Sequence, residues 1–426
     1  MSTSKSELPQ YPFARLEKSY DPPAELKRLR DEGPVHRIQL FDGTPAWIVT
    51  RHEEVCELLS KDKLSNARYN LDGYPEIHPG TKKEGVTPTF VHMDDPEHAR
   101  QRAMVESLFT KSSIDKLKPQ VHSIVDTLLS NIKKKGSQDG PVDLVLTLAT
   151  PLNPKILLQT IFAVPESDAE KLLNSSTELG GTSGTAMESG HTDLHDFMSK
   201  LVEERTKSPK HPDEDIISQL VTEQLKPGHI TRDQLITSVY MIFVAGNSAI
   251  MSSVALGVLS LLLHPDQLDE VKKDPGLAGN VVEETLRFHT PSALNSRRVA
   301  TADLEFGGQE IQKGTGLIGS VRSANRDERV YASPNDFNIH RKIDKDKNLA
   351  FGYGPHNCQG QWLSRLELEA VFGSIFQKLP NLRLAVKPEE LEYTPATQNV
   401  GVVKLPVYFD EVSIPDGVGE VQIDRK

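Results

Sequence analysis

The sequence predicts a mainly α-helical chain with small β-sheets, and three observations carry that expectation. From Asp95 to about Leu263 apolar residues recur at helical spacing. Short apolar runs bounded by turn residues read as strands before and after this stretch. With 426 residues and 37% hydrophobic content, the chain can bury the core of one large domain.

Taken in order, a helix is expected after Pro23, and strands over Val35–Leu40 and Ala46–Thr50. Between Arg68 and Thr89 glycine, proline and polar residues mark a loop suited to border a pocket. Asp95 is placed to cap a helix with Pro96 at its first position, setting His98 and Arg102 on one face. Leu179-Gly180-Gly181-Thr182-Ser183-Gly184 interrupts the helical region with a flexible connection. The pair Thr231 and Gln234 has capping-box spacing and opens a helix expected to run to Leu263, about 50 Å at 1.5 Å per residue. Its part from Met241 to Leu263 is long and apolar enough to imitate a membrane span, but Asn247, Ser248, Ser252 and Ser253 favour a buried central helix. After Phe288 come short strands, a meander around Ser333-Pro334, a glycine-rich loop at Cys358, a helix to about Lys378 and final strands.

The reading divides the chain into an N-terminal extension (1–20), one domain (21–410) and an acidic tail (411–426). A net charge of −11 argues against nucleic acid and against an anionic membrane surface as partners. Two cysteines, Cys56 and Cys358, are too few for a disulfide framework and fit a reducing compartment. The N-terminus shows no signal-peptide core, anchor or Arg-rich transit pattern, so a cytoplasmic, membrane-free protein is expected, with a mitochondrial form left open; a monomer is expected as well.

The most informative stretch is Phe351-Gly352-Tyr353-Gly354-Pro355-His356-Asn357-Cys358-Gln359-Gly360. Gly354 and Gly360 allow tight bends that turn backbone N–H groups toward the sulfur, and Phe351 is placed to exclude water. A helix starting at Gln361 puts Cys358 at an N-terminus, which favours a thiolate. These are the needs of a sulfur bound to haem iron.

With that spacing the chain resembles the cytochrome P450 family. The resemblance implies a single triangular-prism-like domain, with haem b between the long central helix and the helix after the Cys loop, and Cys358 as axial ligand. It assigns His98, Arg102, Arg298 and His356 to the haem propionates, and places Gly352 in the haem-binding loop. Glu284-Thr285-Leu286-Arg287 matches the family's helix motif, implying a buried ion pair that braces the region behind the Cys loop.

Longer stretches resemble the soluble fungal nitric oxide reductases of this family: Leu40–Thr50, Pro88–His98, Val244–Asn247, Ser323–Glu328 and Val400–Val407. In that group NAD(P)H enters the distal pocket and passes hydride directly to the ferric nitric oxide complex, without a protein redox partner. Arg68 and Arg297 stand where the group carries cations for the nucleotide, whereas Asn66 and Leu179 stand where two more are expected. The choice between NADH and NADPH falls to the Gly73–Lys83 segment, where His78, Lys82 and Lys83 can receive a phosphate.

The central helix argues the same way. Oxygenases of the family carry an acid and a threonine where this chain reads Ala245-Gly246-Asn247-Ser248-Ala249, so proton delivery to dioxygen is poorly served. Gly246 leaves room for a small ligand, and Asn247 either hydrogen-bonds or bends the helix. Ser292 matches a proton-delivering pocket serine, while Ala249 and Asn399 replace an expected threonine and aspartate, which implies slow turnover or a repurposed pocket. The alternatives are a monooxygenase or biosynthetic oxidase with an external redox partner, and a nitric oxide sensor, for which no appended output domain is present.

Overall fold

The computed structural model describes residues 8–15, 19–69, 71–77, 88–175, 184–212, 214–292 and 296–410. Leu179 to Ser183, His78, Lys82, Lys83 and the acidic tail lie outside the described residues.

The largest sheet has five strands, β1 (Val35–Gln39), β2 (Pro45–Val49), β3 (Leu64–Ser65), β4 (Arg297–Ala300) and β5 (Gly316–Gly319). Their order is β1-β2-β5-β4-β3, with β2 and β5 parallel (Trp47 opposite Leu317) and the other pairs antiparallel. The interior strands β4 and β5 are buried along their whole length, as strands covered on both faces must be. Residues 8–15, assigned to an extension, pack onto this sheet: Tyr11 donates its N–H to the Gln39 carbonyl at 2.8 Å, and Tyr11 and Phe13 are buried. Two smaller sheets complete the β structure among the described residues.

Six helices position the site: α1 (Glu97–Glu106), α2 (Thr150–Ile156), α3 (Arg232–Ala245), α4 (Asn247–Leu263), α5 (Ala278–His289) and α6 (Gln361–Lys378). The capping box of Thr231 and Gln234 is formed reciprocally at the start of α3. The expected single helix to Leu263 is broken at Gly246 into α3 and α4. At the break, the Asn153 side chain of α2 donates to Asn247 Oδ1, and an added Cβ on Gly246 would stand 3.4 Å from Asn153. Gly246 itself stays near helical dihedrals (φ −91°, ψ −21°), so the interruption is a one-residue distortion beside this contact rather than a change of direction into a loop. Asn247 therefore both hydrogen-bonds and marks the bend.

Among the described residues, the stretch Arg232–Leu263 is long and apolar enough to cross a membrane by length and composition, and 56% of its apolar window is buried inside the protein. Its α4 half packs against α2, α5 and α6. Gly257 permits the approach of α6, since a Cβ there would lie 2.3 Å from the Phe372 ring. Helix α1 starts at Glu97 rather than Pro96, which becomes its N-cap, while Asp95 Oδ1 still accepts the Ala99 N–H at 3.0 Å.

The Glu284–Arg287 pair on α5 is fully buried and bidentate, at 2.7 and 2.8 Å. Arg287 also donates to the carbonyls of Asn325 and Pro334, both at 2.9 Å, and Arg341 adds a second guanidinium to Glu284 at 3.2 Å. Removing one partner of such a network leaves an uncompensated buried charge. Glu284→Gln is expected to destabilise the folded protein by roughly 3–5 kcal/mol in denaturant titration; a loss under about 1 kcal/mol, the size of an exposed pair, would mean the network contributes little.

Candidate haem-thiolate site

Two left-handed residues shape the Cys loop. Gly352 (φ 74°) and Gly354 (φ 71°) make the turns, whereas Gly360, expected to bend, has an ordinary φ of −82° and serves as N-cap of α6. A Cβ at Gly360 would meet no protein atom within 4 Å, and the residue lines a cavity of about 310 Å³. Its missing side chain therefore leaves space beside the sulfur.

The loop folds back so that the Cys358 N–H donates to the Phe351 carbonyl at 2.8 Å. Phe351 is held from behind by Arg365 of α6, whose guanidinium lies 4.5 Å from the ring centroid. Arg365 in turn pairs with Glu283 of α5 at 2.6 Å. Glu283 accepts from the Asn348 side chain, and Asn325 accepts the Leu349 N–H at 2.9 Å. Helix α5 thus braces the Cys loop through Glu283, the neighbour of the residue singled out in the sequence.

Cys358 lines the cavity, and burial pushes its thiol pKa up. The Gly360 backbone N–H, Arg102 and Arg365 oppose that shift without reversing it. The expected depression by the helix terminus alone is thus outweighed by desolvation.

Around the same cavity stand Arg102, Arg298 and His356, with the His98 ring tilted by 36° against His356 at 4.0 Å between ring centroids. Arg298 is 3% exposed, and burial pulls its guanidinium pKa down. Arg102 is displaced in the same direction by burial, offset by Glu106 and Cys358. Burial also drives His356 down to about 3, helped by Arg298, His98 and Arg102. No ion pair joins Arg102 or Arg298 to a carboxylate among the described residues. His98 Nδ1 bonds Asp95 at 2.9 Å, but its buried Nε2 has no partner among the described residues. A sulfur on one side and cations lacking an anion on the other suit a metal-centred group carrying carboxylates, and haem b has that composition.

Ala245, Gly246 and Ala249, at the junction of α3 and α4, line the cavity, and Ser292 lines it as well. Asn247 and Asn399 lie outside the lining; Asn399 Nδ2 donates to Ser248 Oγ at 2.7 Å. Arg68 and Arg297 also lie outside it, and both contact Glu76: Arg68 in a bidentate pair at 2.7 and 2.9 Å, Arg297 at 3.4 Å. The sequence reading did not register Glu76. Asn153, Asn66 and Arg365 were also missed as site residues, because each acts through partners distant in sequence.

Comparison with known proteins agrees with this geometry. Residues 277–408 match the Cytochrome P450 family model. The chain is 41% identical over 403 residues to Cytochrome P450 55A3 of Fusarium lichenicola, covering 94% of this chain and 97% of the relative. It is 36% identical to the Vitamin D3 dihydroxylase of Streptomyces griseolus, covering 91% and 94%. The crystal structure of GfsF superposes with a TM-score of 0.86 at 33% identity, covering 94% of this chain and 100% of the other. MoxA from Nonomuraea recticatena gives 0.86 at 31% identity, covering 94% and 98%. Fold and site together define a haem-thiolate oxidoreductase. The chain belongs to the cytochrome P450 family, and its resemblance to the fungal group is matched by the relative from Fusarium lichenicola.

Cys358→Ala removes a small side chain at the cavity wall and is expected to leave the protein folded. Reconstituted with haem, the variant loses the thiolate-type absorbance that the parent protein shows; an unchanged spectrum would place the iron ligand elsewhere.

Proposed function

We propose that this P450 reduces nitric oxide: 2 NO + NAD(P)H + H⁺ → N₂O + H₂O + NAD(P)⁺, with hydride supplied directly by the nucleotide and no protein redox partner. The observation that carries the reading is the distal wall formed by Ala245, Gly246 and Ala249, which offers neither an acid nor a threonine. Splitting dioxygen needs two protons delivered at the reacting atom, and an acid on this wall is the ordinary source. The one carboxamide in the segment, on Asn247, lies outside the lining and is engaged by Asn153, a neutral amide that does line the cavity. The resemblance to the fungal group and the 41% identity to a fungal relative add support.

A thiolate-ligated haem, when bound, supplies an electron-rich iron that takes small diatomic ligands. The chain's own residues do the rest. Cys358 offers the sulfur, and the Gly360 N–H stabilises its charge. Arg102, Arg298 and His98 receive the carboxylates. Gly246 and Ala249 leave a small-ligand space on the distal wall, while Ser292 provides a hydroxyl beside it. Ser248 and Asn399 form a hydroxyl–amide pair that can relay a proton only through water, because an amide has no acidic proton to give. Incoming nucleotide phosphates must displace Glu76 from Arg68 and Arg297, which weakens nucleotide binding and slows turnover at low nucleotide.

A second reading is a monooxygenase with an external reductase. Relatives named for hydroxylation, such as the vitamin D3 dihydroxylase, favour it, as does an apolar wall of Phe90, Val91, Leu157, Met241 and Ile242.

Headspace measurement of nitrous oxide from purified protein, NO and NAD(P)H separates the two readings. The proposal expects N₂O without any reductase; N₂O absent under these conditions, with organic product appearing only when a reductase is added, favours the oxygenase. In the same assay Ala249→Thr combined with Asn399→Asp is expected to raise the rate about tenfold or more, in line with positioned acid–base groups, and an unchanged rate would remove the proton-supply argument. Glu76→Gln is expected to lower the KM for nucleotide several-fold; a KM equal to that of the parent would show that Arg68 and Arg297 do not meet the nucleotide.

A further inference from the structure

Asn66 stands where the fungal resemblance leads one to expect a cation, and the structure gives this neutral residue a different use. It is 6% exposed at the end of β3 and lines the cavity. Its Oδ1 accepts two hydrogen bonds, from Arg298 Nη1 at 3.1 Å and from the Tyr74 hydroxyl at 3.2 Å. Its Nδ2 donates to the Val91 carbonyl at 2.5 Å, which fixes the amide plane. Arg298 Nη1 makes one more bond, to the Arg297 carbonyl at 2.8 Å.

These contacts occupy one corner of a planar, rigid fork. With Nη1 fixed by two acceptors, the orientation of the guanidinium is set, and Nε and Nη2 have no hydrogen-bond partner among the described residues. Both acceptors are neutral. A carboxylate at position 66 could still accept from Arg298, but it would lose the donation to the Val91 carbonyl and would neutralise the guanidinium. A cation there would repel it. An amide orients the guanidinium and leaves its full charge available to an anion.

We propose that Asn66 is a positioning residue for the haem carboxylates, a neutral clamp that aims Arg298 at the propionate without quenching its charge. The inference rests on family membership and on this geometry, and is independent of whether the enzyme reduces nitric oxide.

The test uses the holoprotein and reads haem release to an excess of a haem-scavenging apoprotein, together with the reduction potential. Asn66→Asp, nearly isosteric, is expected to accelerate haem release about tenfold or more, the usual weight of an outer partner that orients a ligand, and to lower the potential through the added negative charge. Asn66→Leu is expected to accelerate release in the parent, but to add nothing in an Arg298→Gln background. A structural role alone predicts the reverse, with Asn66→Leu costing as much in the Arg298→Gln background as in the parent. That additivity, or an Asn66→Asp protein with unchanged release and potential, would overturn the proposal.

Discussion

Everything at this site follows from charges that the chain buries without neutralising them. Arg298 is buried and Arg102 is partly so, and neither has a carboxylate partner among the described residues. Holding a guanidinium away from water costs several kcal/mol unless an anion returns it. Behind the Cys loop, by contrast, the ion pairs are complete: Arg287 has both oxygens of Glu284, and Arg365 has Glu283. The contrast separates two duties. Arginines behind the Cys loop are satisfied internally and make the scaffold rigid, whereas those facing the cavity are left for a ligand to satisfy.

Rigidity behind the loop matters because the sulfur must be presented in one place. The chain runs from Glu284 and Arg287, through Glu283 and Arg365, to the ring of Phe351, and the Phe351 carbonyl then fixes the Cys358 N–H. Each contact transmits position to the next, so the ligand sulfur is set by a helix that does not touch it. Left-handed turns at Gly352 and Gly354 supply the remaining curvature. Across the cavity Asn153, itself part of the lining, hydrogen-bonds Asn247 beside Gly246 and ties the bend there to α2.

Local features were legible in the sequence. The Cys loop, the i, i+3 pair on α5, the His98 and Arg102 face of α1 and the Thr231 capping box all rest on spacings within one element, and spacing is what a single sequence displays. Pairings across the fold were not legible. Asn153 meets Asn247 across 94 residues, Glu283 meets Arg365 across 82, and Asn66 meets Arg298 across 232. No periodicity encodes such a choice of partner. The same limit explains Arg68 and Arg297: their positions could be read from resemblance, but Glu76, which binds both, had no local signal. Gly360 shows the limit in reverse, since its identity suggested a bend and its value lies in an absent side chain.

The functional reading stands on a distal wall poor in acids and on direct use of a nucleotide, and stopped-flow absorbance tests both together. The resting protein is saturated with NO and then mixed with NADH or NADPH in the absence of any reductase. The account predicts that the spectrum of the NO-loaded protein returns to that of the resting protein with at least one nucleotide, at a rate that rises with nucleotide concentration, with nitrous oxide released. A spectrum indifferent to both nucleotides would contradict direct hydride use and turn the assignment toward an oxygenase.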